Sequence, residues 1–188
     1  MRQHLIIPED RGFALETNNK RTNYIFAIIG FILLLALDRF TKYLAVTGLK
    51  GTEGIDLIPG VLRLEYLENT GAAFGVMQGM QGVLLLVTVI VLLGILYIYM
   101  RIPEGKKYNI LRVVAVFIIA GAIGNMIDRF LNNFVIDFIY FSLIDFPVFN
   151  VADCYITLSV ILLFLLVLFY YKDEELNFIF KPKETEGN

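Results

Sequence analysis

The side chains of this sequence that could do chemistry are mainly carboxylates. The chain has a single histidine, His4, and a single cysteine, Cys154. Metal sites that need imidazole and Ser-His or Cys-His nucleophilic pairs are therefore excluded. No Gly-rich phosphate loop of the GxxxxGK type is present. Ser159 lies deep in an apolar run, so a serine nucleophile stays open only as Ser142 with Lys42 as its base.

Two aspartates held close together can hydrolyse an amide without metal, thiol, imidazole or other cofactor. Such a pair cannot ionise fully and shares one proton. The ionised carboxylate takes a proton from water while the protonated one donates to a carbonyl oxygen. Asp145, beside Phe146-Pro147, is interpreted as a turn residue. The candidates for the pair are Asp38, Asp128, Asp137 and Asp153.

The elements that must position these aspartates are apolar. Of the 188 residues, 57% are hydrophobic and only 18% are charged, whereas soluble domains carry about a quarter charged residues. The formal charge of −2 argues against a nucleic-acid module. Charged residues are clustered and leave four apolar runs, and about 20 helical residues cross a bilayer. We therefore predict an all-α membrane fold, a four-transmembrane-helix bundle with helices at roughly 24–46, 83–100, 110–127 and 151–171.

The distribution of positive charge predicts the orientation of these helices. Eleven Lys and Arg residues lie in the two tails and around the turn at 100–109, against five on the other side. Three of those five lie in the other two connections, and two, Arg39 and Lys42, lie near the end of the first predicted helix. Both termini are therefore predicted to be cytoplasmic. We expect one membrane-embedded domain over 1–188, with cytoplasmic tails at 1–23 and 172–188 and extracytoplasmic segments at 47–81 and 128–150. The four candidate aspartates then converge on the extracytoplasmic face.

Both extracytoplasmic segments carry structural signals. Residues 61–68 alternate between apolar and polar, which predicts a half-buried strand, and residues 55–58 supply a partner. We expect a small extracytoplasmic β-sheet on the membrane surface. The many aromatic residues of 128–150 predict an interfacial loop. Within it Asp137 has apolar neighbours, so we expect it to lose hydration and to have a raised pKa.

Intramembrane aspartates near basic residues also fit two other classes of protein. One is a small proton-coupled transporter, although no acid lies in the second helix or the cytoplasmic half to complete a relay. Proton-gradient-dependent solute flux would favour it. The other is a structural scaffold in which carboxylates only pair with basic residues. Asp137→Asn and Asp153→Asn would then leave every phenotype intact.

Five segments of the sequence resemble the lipoprotein signal peptidases, the membrane aspartic peptidases also called signal peptidase II. Each segment alone is a weak signal, but their order on four predicted spans is specific. The resemblance covers about residues 24–171. The segments are DRFTK at 38–42, NTGAAF at 69–74, GNMIDR at 124–129, VIDFI at 135–139 and FNVAD at 149–153.

This resemblance implies roles that the residue pattern alone does not choose. It implies an aspartic endopeptidase whose catalytic dyad is Asp137 and Asp153. Asp128 is then a stabilising partner of Arg129 or Lys42. The residues implied to support the site or bind substrate are Asp38, Lys42, Asn69, Asn125, Asp128, Arg129 and Asn150.

The resemblance also implies the substrate and the compartment. The expected reaction is cleavage of the signal peptide of a bacterial pro-lipoprotein, on the amino side of a cysteine that carries a diacylglyceryl group. The expected location is the bacterial cytoplasmic (inner) membrane, with the site near the extracytoplasmic face. Residues 69–74 and the sheet would clamp the substrate backbone by strand-like pairing. Expected partners are this substrate and membrane lipids, with no nucleic acid, metal or cofactor, and we expect a monomer.

Overall fold

The computed structural model describes residues 10–71 and 77–179. Within these ranges the chain forms long helices, a small sheet and short 3-10 turns at Lys106–Tyr108, Ser142–Ile144 and Asp173–Ile179. The helices are α1 Asp10–Leu49, α2 Gln81–Arg101, α3 Asn109–Asn132 and α4 Val151–Phe169. The strands are β1 Ile55–Ile58, β2 Leu62–Asn69 and β3 Val135–Tyr140.

Four helices among the described residues are long and apolar enough to cross a membrane, which confirms the predicted bundle. The predicted end of α3 at residue 127 was five residues short. This helix continues to Asn132 and is closed by Asn133, which adopts the left-handed conformation with φ 63° and donates its backbone N–H to Arg129 O at 3.0 Å. Asp128 and Arg129 therefore lie in the last turns of a helix and not in the following connection.

Helix α3 is the centre of the bundle and contacts α1, α2 and α4. Small buried residues, Ala120, Gly121 and Gly124, allow this close packing. A Cβ atom added to Gly121 would lie 2.5 Å from the backbone oxygen of Ala152. The α4 backbone thus rests directly on α3.

The sheet is antiparallel with strand order β1-β2-β3. The prediction of β1 and β2 is confirmed, but β3 was not predicted and lies within the segment interpreted as an interfacial loop. Its first four residues, 135–138, are all buried, so it lacks the alternation by which a half-buried strand is recognised. On one side β3 packs against Ala45 and Leu49 of α1 through Ile136 and Phe138.

A buried ion cluster ties α1 to α3. The Lys42 side chain is 0% exposed, and its Nζ lies 3.2 Å from Asp38 Oδ2, 2.8 Å from Asp128 Oδ2 and 2.9 Å from Asn125 Oδ1. Asp38 and Lys42 share one face of α1 because they are four residues apart. Arg39 Nη1 lies 2.5 Å from Asp128 Oδ1. Two cations therefore face two carboxylates.

The two carboxylates of this cluster also hold the next two elements. Asp128 Oδ2 accepts the backbone N–H of Ile136 in β3 at 3.3 Å, and Asp38 Oδ1 accepts that of Ala152 in α4 at 3.2 Å. Gly124 leaves room for this arrangement, since a Cβ there would lie 2.5 Å from Asp38 Oδ2. The residues that follow Ile136 and Ala152 are Asp137 and Asp153, so the cluster positions both candidate acids through their neighbours.

We expect Gly121→Ala to destabilise the bundle by about 1–3 kcal/mol, the usual cost of overpacking, because its new methyl group would contact a backbone oxygen that cannot rotate away. Gly94→Ala in α2 is the matched control, since nothing lies within 4 Å of a Cβ at that position. Alanine forms helix better than glycine, so Gly94→Ala should be neutral or stabilising. Thermal unfolding in detergent measures both, and equal melting temperatures would contradict the close α3–α4 contact.

We expect Lys42→Met to cost about 3–5 kcal/mol, since it leaves buried carboxylates without their shared cation. Lys50→Met is the control, because Lys50 Nζ also lies 2.8 Å from a carboxylate, that of Glu68, but both side chains are exposed. Exposed pairs add little, so Lys50→Met should change the melting temperature little. The double variant Lys42→Met/Asp38→Asn should recover part of the loss. A Lys42→Met protein as stable as the parent would refute the role of the cluster.

Candidate active site

Asp137 is buried in β3 and held by two asparagines. Its side chain is 1% exposed. Asn69 Nδ2 donates to its Oδ2 at 2.8 Å, and Asn150 Nδ2 donates to its Oδ1 at 2.6 Å. Burial, and secondarily the negative charge of Asp153, raises the pKa of Asp137 to about 7. The raised pKa expected from its apolar neighbours is confirmed.

Asp153 lies in the first turn of α4, in a different environment. Asn150 caps this helix in a reciprocal capping box. The Asn150 backbone N–H donates to Asp153 Oδ2 at 3.1 Å, and the Asp153 backbone N–H donates to Asn150 Oδ1 at 3.0 Å. Asn125 Nδ2 donates to the other oxygen, Oδ1, at 2.7 Å. Both oxygens of this carboxylate thus accept N–H groups at a helix N-terminus, where negative charge is favoured.

Two asparagine side chains connect the ion cluster to both acids. Asn125 Oδ1 accepts from Lys42 at 2.9 Å and from Asn150 Nδ2 at 3.1 Å, while its amide nitrogen binds Asp153. Asn150 contacts Asp137 through its side chain and Asp153 through both backbone and side chain. An amide side chain is both donor and acceptor, so each asparagine can serve two partners in a fixed orientation.

Arg129 holds the backbone that follows β2. Its Nη2 donates to Gly71 O at 3.1 Å, and the Gly71 backbone N–H donates to Asn69 Oδ1 at 2.9 Å. The guanidinium is therefore linked to Asp137 through Asn69. Residues 72–76, which include part of the 69–74 segment predicted to clamp the substrate, lie outside the described residues.

The structure brings all nine predicted site residues into one connected network. The partners of Asp128 are Lys42 and Arg39, whereas Arg129, which was also considered, contacts the Gly71 backbone. Sequence reasoning left four contributors off the site. Two of them could have been found from the sequence. Arg39 directly follows Asp38, and Gly124 is a small residue beside the polar residues of the 124–129 segment. The N–H groups of Ile136 and Ala152 could not, because backbone donors carry no residue-type signature.

Other candidate groups occupy structural positions. The Lys42 ammonium lies within 3.2 Å of oxygen atoms of Asp38, Asp128 and Asn125. No hydrogen bond between Lys42 and Ser142 is present among the described residues, so the Ser-Lys alternative has no support. Asp145 adopts the left-handed conformation after a 3-10 turn and accepts the hydroxyl of Tyr140 at 2.6 Å, as expected for a turn residue. Within residues 10–71 and 77–179, no group of three or more His, Cys, Asp or Glu side chains is arranged to hold a metal ion.

The arrangement is suited to acid–base chemistry. Asp137 and Asp153 share Asn150 as a common partner, and their surroundings differ: one is enclosed in a sheet, the other is at a helix N-terminus. Pairs of carboxylates in contrasting environments divide the roles of acid and base. The geometry therefore supports hydrolysis by activated water.

Comparison with known proteins gives consistent matches. The family model for signal peptidase (SPase) II matches residues 30–169. A lipoprotein signal peptidase of Brevibacillus brevis is 42% identical over 133 residues, covering 71% of this chain and 88% of the relative. One of Streptococcus pyogenes serotype M5 is 40% identical over 148 residues, covering 79% and 94%.

Two solved structures of bacterial membrane enzymes share the fold. One has a TM-score of 0.69 at 33% identity, covering 76% of this chain and 87% of its own, and the other has 0.67 at 32%, covering 78% and 94%. With the apolar helices, these matches make the protein a multi-pass membrane enzyme. The family match spans every residue of the Asp137–Asp153 network, and the chain therefore belongs to the signal peptidase II family.

Proposed function

We propose that this chain is an aspartic endopeptidase that cleaves diacylglyceryl-modified bacterial pro-lipoproteins on the amino side of the lipidated cysteine. The observation that carries the proposal is the pair Asp137 and Asp153, joined by Asn150. The substrate class rests on the family and on the curated relatives, whose name is lipoprotein signal peptidase.

In this proposal Asp137 carries the shared proton and Asp153 is the ionised base. A pKa of about 7 leaves a substantial fraction of Asp137 protonated at neutral pH, ready to donate to the scissile carbonyl oxygen. Asp153 accepts N–H groups on both oxygens from Asn125 and Asn150, and these hydrogen bonds offset part of the cost of burying its charge.

The reaction then proceeds in two balanced steps. Asp153 takes a proton from water as the water oxygen bonds to the scissile carbonyl carbon, and Asp137 gives its proton to the carbonyl oxygen. The tetrahedral intermediate collapses when its C–N bond breaks. Asp153 returns a proton to the leaving nitrogen, and Asp137 recovers one from the intermediate. The products are a carboxylic acid on the signal peptide, which then releases its proton to water, and a free amine on the lipidated cysteine.

We place the site at the extracytoplasmic face and the termini in the cytoplasm. The end of the bundle away from Asp137 carries most of the positive charge, as cytoplasmic ends do. Its basic residues include Lys20, Arg21, Arg101, Lys106, Lys107, Arg112 and Lys172. A signal-peptide helix in the bilayer of the cytoplasmic membrane would then present its cleavage site beside the dyad. We propose one domain acting as a monomer, with residues 69–74 and the sheet clamping the substrate backbone.

We expect Asp137→Asn and Asp153→Asn each to lower cleavage by at least about 10²–10⁴-fold, the range for a lost general acid or base. The measurement is turnover of a purified diacylglyceryl-modified pro-lipoprotein. Asp145→Asn is the matched control, since that carboxylate contacts Tyr140 in an exposed turn, and it should cleave at the parent rate.

Three results would count against this assignment. Substantial turnover by folded Asp137→Asn protein would contradict the catalytic role of the Asp137–Asp153 dyad. Equal cleavage of substrate that lacks the diacylglyceryl group would contradict the proposed substrate class. Proton-gradient-dependent solute flux in proteoliposomes, without cleavage, would favour a transporter.

We expect kcat/KM to fall as pH rises through about 7, because Asp137 then loses its proton. The Asn69 hydrogen bond stabilises the carboxylate and lowers the pKa of Asp137. Asn69→Ala should therefore move this alkaline limb to higher pH, while Asn132→Ala, an exposed asparagine at the end of α3, should leave it in place. A limb that stays put or moves to lower pH in Asn69→Ala would contradict Asp137 as the acid.

The same pKa affects stability with a defined sign. Unfolding returns the Asp137 pKa from about 7 to its ordinary value of 3.8. The unfolded chain therefore releases this proton at lower pH than the folded chain does. The contribution of Asp137 to the free energy of unfolding should consequently decrease as pH rises from about 4 to 7.

A further inference from the structure

We propose that a cavity between α1, α2 and α3, at the end of the bundle opposite Asp137 and Asp153, binds the phosphate headgroup of an anionic phospholipid. The cavity has a volume of about 180 Å³. The stretch of α1 from Lys20, in the cavity wall, to Asp38, in the ion cluster, is about 27 Å long. The site is therefore separate from the proposed peptidase dyad and does not depend on it.

The cavity wall has a positive charge balance. Lys20, Arg101 and Arg112 line it, against one carboxylate, Glu104. That carboxylate is already engaged, since Glu104 Oε2 accepts from Asn23 Nδ2 at 3.0 Å and its Oε1 lies 3.5 Å from Arg112 Nη2. Two positive charges thus exceed what the wall itself neutralises, and an anion would balance them.

The two arginines differ in how much donor capacity they retain. Arg112 is fixed as part of the wall, because its Nη2 donates to Ile102 O at 3.3 Å and Pro103 O at 2.7 Å. Arg101 uses Nε for Phe178 O at 2.8 Å and Nη1 for the Tyr97 hydroxyl. A guanidinium has five N–H groups, so Arg101 keeps Nη2 for a ligand, as no described residue accepts from it.

Tyr99 supplies a second, independent observation. Tyr99 lines the cavity, and its hydroxyl oxygen is buried and has no hydrogen-bond partner among the described residues. A buried hydroxyl without a partner is costly. A phosphate oxygen in the cavity would accept this O–H and remove the cost. The Tyr99 ring is held by Tyr24, with ring centroids 6.0 Å apart.

The position of the cavity favours a lipid over a soluble anion. It lies between apolar helices, and its wall includes Tyr24 and Met100, both substantially exposed. Tyrosine rings settle at the headgroup level of a bilayer, and basic pockets between membrane helices bind anionic headgroups. The acyl chains would follow the helix surfaces while the phosphodiester enters the cavity.

Native mass spectrometry of the full-length protein in detergent, titrated with phosphatidylglycerol, tests the proposal. We expect one lipid per chain at saturation and much weaker binding of phosphatidylcholine, whose headgroup has no net charge. Tyr99→Phe is the decisive variant, because it removes only a hydroxyl that no described residue binds. Its affinity for phosphatidylglycerol should fall about tenfold, as for a lost hydrogen bond to a charged group.

Arg101→Gln should weaken binding similarly, whereas Lys106→Gln, which removes an equal charge from an exposed residue outside the cavity, should bind as the parent does. Equal affinity of parent and Tyr99→Phe for phosphatidylglycerol would overturn the site. So would equal loss in Lys106→Gln, which would indicate only general attraction to the basic end. Binding of glycerol phosphate as tight as that of phosphatidylglycerol would assign the cavity to a soluble anion and overturn the lipid assignment.

Discussion

The buried ammonium of Lys42 is the interaction on which the rest of this structure depends. Its positive charge holds the carboxylates of Asp38 and Asp128 in an interior where neither would otherwise be tolerated. Those carboxylates in turn accept the backbone N–H groups of Ile136 and Ala152. One charge therefore positions β3 and the beginning of α4, and with them the two acids at the next residue of each element.

Two asparagines connect the ion cluster to the proposed active site, in which the two acids have different surroundings. Asn125 is bound by Lys42 and binds Asp153, while Asn150 binds both Asp153 and Asp137. One acid lies buried in a strand and the other at a helix N-terminus, where the backbone N–H groups favour a negative charge. The ion cluster beside them pairs two cations with two carboxylates, so it adds no net charge to the interior of the bundle.

The two ends of the bundle have separate tasks in this interpretation. At one end the two acids and the asparagines that bind them hydrogen-bond to one another within the chain, as a preorganised catalytic site requires. At the other end the cavity beside Arg101 retains cationic groups and a buried Tyr99 hydroxyl without a partner among the described residues. The site at Asp137 and Asp153 is suited to turnover of a substrate, and the cavity beside Arg101 is suited to stable binding of an anion.

The sequence by itself determined the features that depend on local pattern, which are the four apolar spans and the first two strands of the sheet. The set of polar residues that would meet was implied by the resemblance of five segments to a known family. Length and hydropathy decide a span, and alternation over 61–68 reveals a strand, without reference to the rest of the chain. Only the tertiary structure decided that residues 135–140 form a strand, since burial on both faces removes the alternation. It also decided which partner each acid has. Asp38 and Ala152, which form a hydrogen bond, lie 114 positions apart in the sequence. Asp128 pairs with Lys42 and Arg39 and not with the adjacent Arg129, because the packing of the helices determines which charges come into contact.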